Sequence, residues 1–187
     1  MFLAAKVEEI FAPEISDFVY ITDDAYTSKE IRRMELKMIN TLHFDLCPPI
    51  ALNFLRRCSK AGGVDILQHS MAKFILEQSL LDYALVSTPP SHMAAAALHL
   101  SLLLTEEDEE ITDVNSVWNI NLQHYSSYSS SQLMPTVRKL ANMVDKSENN
   151  TKLQAVRTKY SSTKFMSVAK LPQLKGRMMS KICNKQK

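Results

Sequence analysis

Two charged side chains stand where apolar ones belong. Lys6 lies three residues after Leu3 and four before Ile10, and Glu35 lies four after Ile31 and four before Ile39. Both spacings set the charge in the middle of an apolar helical stripe. An ionised group there is costly unless paired and hydrogen-bonded. Three readings stand: Lys6 extends its charged end to water, the two residues pair inside the fold, or they face a partner. In the last case they would form the charged centre of an otherwise apolar interface, aimed at backbone or charges.

Nothing else in the sequence has the spacing of a reaction centre. There is no Gly-rich phosphate loop, no GxSxG, no HExxH and no paired Cys/His spacing. The five histidines, His43, His69, His92, His99 and His124, are scattered. His92 and His99 are seven apart and could share a helix face, but no third metal ligand lies near, so they read as hydrogen-bonded core or surface groups. The acidic run Glu106–Glu110 lacks the spacing of a calcium loop and reads as a solvated loop. Cys47, Cys58 and Cys183 are odd in number and far apart, which fits reduced, buried thiols better than disulfides or zinc ligands. The expectation is a binding protein with no catalytic residue, no metal, no cofactor and no small-molecule substrate.

Composition points to helices as the elements that must position the pair. Three glycines in 187 residues leave little material for tight hairpins, while Leu, Ala, Met, Lys and Glu abound. The longest apolar run, Met93–Leu104, covers 12 residues and contains His99 and Ser101. A membrane span needs about 20, so this is a buried core helix, and no membrane partner or secretory leader is expected. The net charge of +2 is unevenly distributed. Residues 1–145 hold 11 Lys/Arg and 19 Asp/Glu, whereas residues 146–187 hold 11 Lys/Arg and one Asp/Glu. The basic residues of this tail are spaced out, and Val156, Tyr160, Phe165, Val168 and Leu171 lie among them. The tail is therefore expected to dock on the body through these apolar residues, with Lys164 and Lys170 at the wet edge, and no nucleic acid is expected as partner.

Periodicity divides the chain at residues 47/48 and again near 145. A helix runs from the first residues to Pro13, and a short turn spans Glu14–Ile21. Thr27 caps the next helix with Glu30 as capping-box partner. Its stripe is Ile31, Met34, Met38, Ile39 and Leu42, and Cys47-Pro48-Pro49 should end it. Then follow helices over Pro49–Ala61, from Asp65 with its box partner Gln68, from Thr88 with Pro89 at the first turn, a turn at Val117–Tyr125, and Ser129–Val144. The fold class is all-α. Tyr26–Ile31 and Tyr128–Leu133 share one plan of aromatic, cap, two polar residues, box partner and apolar residue, 102 residues apart, and an Ala-rich stretch precedes each. That is the mark of a duplicated helical domain.

The same residues carry a resemblance. FLAAKVEEIFAPE at 2–14, DFVYITDDAYT at 17–27 and Arg33–Glu35 resemble the central part of a cyclin box. FLRRCSK at 54–60, Leu81–Tyr83, Pro89–Ser91, LQHY at 122–125, KYSSTK at 159–164 and LPQL at 171–174 resemble the B-type mitotic cyclins. The resemblance implies a cyclin fold: about three helices of a first box over 1–47, a complete five-helix second box over 48–145, and a basic, partly docked tail over 146–187. It implies a regulatory subunit that binds and activates a cyclin-dependent serine/threonine kinase at the G2/M transition, in nucleus and cytoplasm. By position, Lys6 and Glu35 match the charges that grip the kinase's mobile regulatory helix, with Val7, Ile39, Phe44 and Leu46 as apolar neighbours. A degradation-signal leader and the first two helices of the first box would lie outside this chain, leaving Phe2, Met34 or Met38 facing water. A non-activating cyclin-fold remnant or adaptor module is the alternative.

Overall fold

A computed structural model describes residues 1–106 and 117–184, with no strand among them. The Glu106–Glu110 run therefore lies almost wholly outside the described residues. The chain falls into two units, Met1–Pro48 and Pro49–Lys187.

The first unit contains α1 (Phe2–Glu8), α2 (Ile15–Ile21) and α3 (Ser28–Thr41). Two capping boxes start the later helices. Glu14 N–H donates to Asp17 Oδ2 at 2.8 Å, and Thr27 N–H donates to Glu30 Oε2 at 2.9 Å while Glu30 N–H donates to Thr27 Oγ1 at 3.3 Å. The Thr27 N–H and the Thr27 hydroxyl, at 2.8 Å, both donate to the Glu30 carboxylate and hold it below its usual range. Helix ends depart from the sequence expectation. α1 stops at an extended Glu9, short of Pro13, and Ile10 is 93% exposed, off the stripe assigned to it. Two turns with no buried face have too little packing to extend further. α3 ends at Thr41, well before Cys47-Pro48-Pro49, because His43 and Phe44 adopt left-handed backbone (φ 50° and 60°). No residue of this unit is buried.

The second unit is built around α6 (Pro90–Thr105), in which every residue from Met93 to Leu104 is buried. The helices α4 (Ala51–Ala61), α5 (Ile66–Ser79) and α8 (Ser130–Ser147) pack on it, and α7 (Ile120–Ser126) packs on α4 and α6. Asp65/Gln68 and Ser129/Gln132 form the capping boxes of α5 and α8. In α8, Leu133, Val137, Leu140 and Val144 are all buried, and Pro135 takes the solvent side, where the carbonyl it deprives of a partner faces water. One start moves. Pro89, not Thr88, caps α6, with Pro90 at the first helical position. The residue before a proline is pushed out of helical geometry, so Pro89 cannot itself be helical. Trp118 is fully buried, donating Nε1–H to the Tyr128 carbonyl at 2.9 Å and lying against His99 with ring centres 5.1 Å apart.

The basic segment packs on this core. In α9 (Ala155–Tyr160), Tyr160 is fully buried with its ring centre 5.6 Å from Phe74 and 4.8 Å from Phe165. Its hydroxyl donates to Glu77 Oε1 at 2.6 Å. Val168 is buried, Val156, Phe165 and Leu171 are partly so, and Lys164 and Lys170 are exposed. A helix that the sequence reading misses, α10 (Arg177–Asn184), buries Met179 and Ile182 on the same core.

Candidate functional site

The charged pair joins the first and third helices. Lys6, near the end of α1, places Nζ 2.8 Å from Glu35 Oε1 in the middle of α3. The Lys6 ammonium also sits 4.1 Å from the ring centre of Phe2, one turn back on its own helix. Phe2 in turn meets Phe18 of α2 edge-on at 5.1 Å. Packing, charge and cation–π contact thus fix one rotamer of a side chain that otherwise has several. The pair is not inside a core: side-chain exposure is 42% at Lys6 and 16% at Glu35. The two residues pair with each other, yet at the surface and not in the interior.

Each partner keeps bonding capacity. An ammonium has three donors and a carboxylate two oxygens, and the bond between them uses one of each. Their neighbours are apolar and accessible. Val7 follows Lys6 and is exposed, while Ile39, one turn after Glu35, is half-buried. Phe44 is 69% exposed and Leu46 half-buried. The backbone brings Phe44 back to Ile39, its N–H donating to the Ile39 carbonyl at 3.1 Å. Beside the pair a groove of about 660 Å³ is lined by Phe2, Leu3, Phe18, Ile31, Met34 and Met38. Met34 is 56% exposed and Met38 is exposed too, as expected, whereas Phe2 is half-buried by Phe18 and Lys6.

Sequence reasoning picked out Lys6 and Glu35 as charges on apolar stripes, but it missed Phe2 beneath the ammonium and the left-handed pair that ends α3. Aromatic spacing (Phe2 and Lys6 are four apart) could have signalled the first. No local signal marks the second, since neither residue is glycine.

Two of the histidines have structural partners, and of the cysteines expected to be buried only Cys58 is, Cys47 being exposed and Cys183 half-buried. His69 Nδ1 lies 2.8 Å from Ser59 Oγ, and His92 Nε2 lies 3.0 Å from Thr136 Oγ1. Among the described residues no three of His, Cys, Asp and Glu gather where they could hold a metal, and no helix is long and apolar enough to cross a membrane.

Comparison with known proteins accounts for both units. Residues 1–47 match the cyclin N-terminal domain and residues 49–174 the cyclin C-terminal domain. The G2/mitotic-specific cyclin-B of Hydra vulgaris is 45% identical over 185 residues, covering 99% of this chain and 49% of that protein. That of Marthasterias glacialis is 51% identical over 174 residues, covering 93% of this chain and 43% of its own length. The G2/mitotic-specific cyclin-B2 of Bos taurus is 42% identical over 185 residues, covering 98% and 44%. The chain spans about half the length of these relatives or less. With both domain models met in order along a chain whose described residues form helices and no strand, and mitotic B-type proteins as relatives over nearly all of it, the chain belongs to the cyclin family.

Proposed function

We propose that this chain is a regulatory subunit, not itself a catalyst, that binds and activates a cyclin-dependent serine/threonine kinase at the G2/M transition, in nucleus and cytoplasm. Its relatives' names, all G2/mitotic-specific, support the cell-cycle part of this reading. The observation that carries the partner is the Lys6–Glu35 pair, held at 2.8 Å with spare donors and an acceptor, amid accessible Val7, Ile39, Phe44 and Leu46. A kinase's mobile regulatory helix offers what such a surface accepts: an apolar face to bury, and terminal backbone groups left without partners. Covering the pair would remove water from it and strengthen its bonds to the new partner, while the apolar neighbours supply buried area.

The test is capture of a panel of purified cyclin-dependent kinases on the immobilised chain, followed by phosphorylation assays on whatever binds. Binding and activation of one kinase is the expected outcome. Binding without activation would make the chain an adaptor, and no binding by any member would defeat the proposal.

A further inference from the structure

In α4 and α3 the same helix-ending device is built from different residues. α4 closes with Gly63 at φ 63° and the Val64 N–H on the Ser59 carbonyl at 3.0 Å. α3 closes with His43 N–H on Asn40 O and Phe44 N–H on Ile39 O, both at 3.1 Å. Each is the doubled carbonyl closure that normally takes glycine at its left-handed position, because a side chain there crowds the backbone. α3 has a histidine instead, and its next residue, Phe44, is left-handed too. The end of α2 has the same pair of left-handed residues, but they are Asp23 and Asp24, a type that tolerates this conformation by local hydrogen bonding. Histidine shares some of that tolerance, but Phe44 (φ 60°) has no such relief, and a bulky residue there is a genuine outlier. Strain of this kind persists where the surroundings impose it and gathers at functional positions.

The geometry shows what the strained turn accomplishes. Glu35 and Ile39 lie four apart on one face of α3, and a continuing helix would put His43 next in that row. The reversal at His43 removes it from the row and brings the Phe44 backbone to Ile39 instead, with Phe44 69% exposed. We infer that His43 is a positioning residue: through its left-handed backbone, not its imidazole, it places Phe44 in line with Lys6, Glu35 and Ile39 for the kinase. This rests on the kinase-binding reading of the site.

The experiment compares the 187-residue chain with Phe44→Ala, His43→Gly, His43→Asn and His43→Val in affinity for the captured kinase, with hydrogen exchange of α3 as the folding control. Phe44→Ala should weaken binding about tenfold or more, the scale of a central interface contact. His43→Gly and His43→Asn, which accept left-handed backbone, should bind within about threefold of the parent. His43→Val, which resists it, should lose about tenfold with the amides of Ile31–Met38 still protected. If Phe44→Ala loses binding but His43→Val does not, the positioning role is wrong and the site reading survives. If Gly and Asn lose as much as Val, the imidazole itself is the contact and the inference falls. If Phe44→Ala binds like the parent, the site reading fails and takes the inference with it.

Discussion

At the scale of single residues, the free chain and the complex should value Lys6 and Glu35 very differently. An exposed ion pair contributes roughly 0–1 kcal/mol to folding, so Lys6→Ala or Glu35→Ala should barely change helicity. Removing one member of a pair desolvated by a partner costs on the order of 2–5 kcal/mol in binding. Titration calorimetry against the kinase, with circular dichroism of the free chain, separates the two, and parent-like affinity in both variants would refute the role. Two histidines predict a pH dependence. Burial, then Lys73 and Arg56, push His69 below its ordinary value, and burial does the same for His92. The folded chain thus resists protonating them, whereas the unfolded chain takes up protons as pH falls through about 6.5. Stability should therefore fall as pH drops below about 6.5, read as a lower melting temperature at pH 5.5 than at 7.5. Replacing both by glutamine should flatten that slope.

Among elements, the starts of helices were more legible than their ends. Thr27/Glu30, Asp65/Gln68 and Ser129/Gln132 each declare a helix through two residues three apart, and each box forms. Glu14/Asp17 forms the same reciprocal bonds with acids outside the usual pattern and went unread. Ends escaped because they depend on backbone reversal at His43 or on missing packing after Glu8, which no residue type announces. α10 hid among lysines, its buried Met179 and Ile182 too few to show a period. At the site, misplaced charge could be read from spacing, but which readings would coexist could not: the pair forms and is also accessible. Packing differs sharply between elements as well. In hydrogen exchange the amides of Met93–Leu104 should approach global protection while those of Phe2–Glu8 exchange almost freely, since the first stretch is wholly buried and the second has no buried residue. Equal protection would show that the first unit closes on itself.

For the molecule as a whole, the charge split has a mainly apolar resolution. The ion pairs Lys159–Glu77, at 2.7 Å, and Lys175–Glu148 are partly exposed, so water screens them and they add little. Tyr160, Val168, Met179 and Ile182 hold the basic segment to the core by burial. Tyr160→Phe, which keeps the ring but removes the bond to the Glu77 carboxylate, should cost about 1.5–3 kcal/mol in urea unfolding. Deleting residues 156–174 should lower the melting temperature markedly and leave any DNA or RNA affinity almost unchanged. Loss of tight binding that weakens steeply with salt would instead make the segment a nucleic-acid arm.

The burial of Tyr160 also carries a meaning for how the chain is made. Synthesis completes α4 and α5 long before α9 exists, yet Phe74 in α5 is covered by a ring that is synthesised some eighty positions later. At about 5–20 residues per second, the nascent second unit spends seconds with an open apolar wall, a natural landing place for chaperones. A message cut short before Val156 would make that interval permanent, yielding a product bound for aggregation or proteolysis, not a milder version of the same protein.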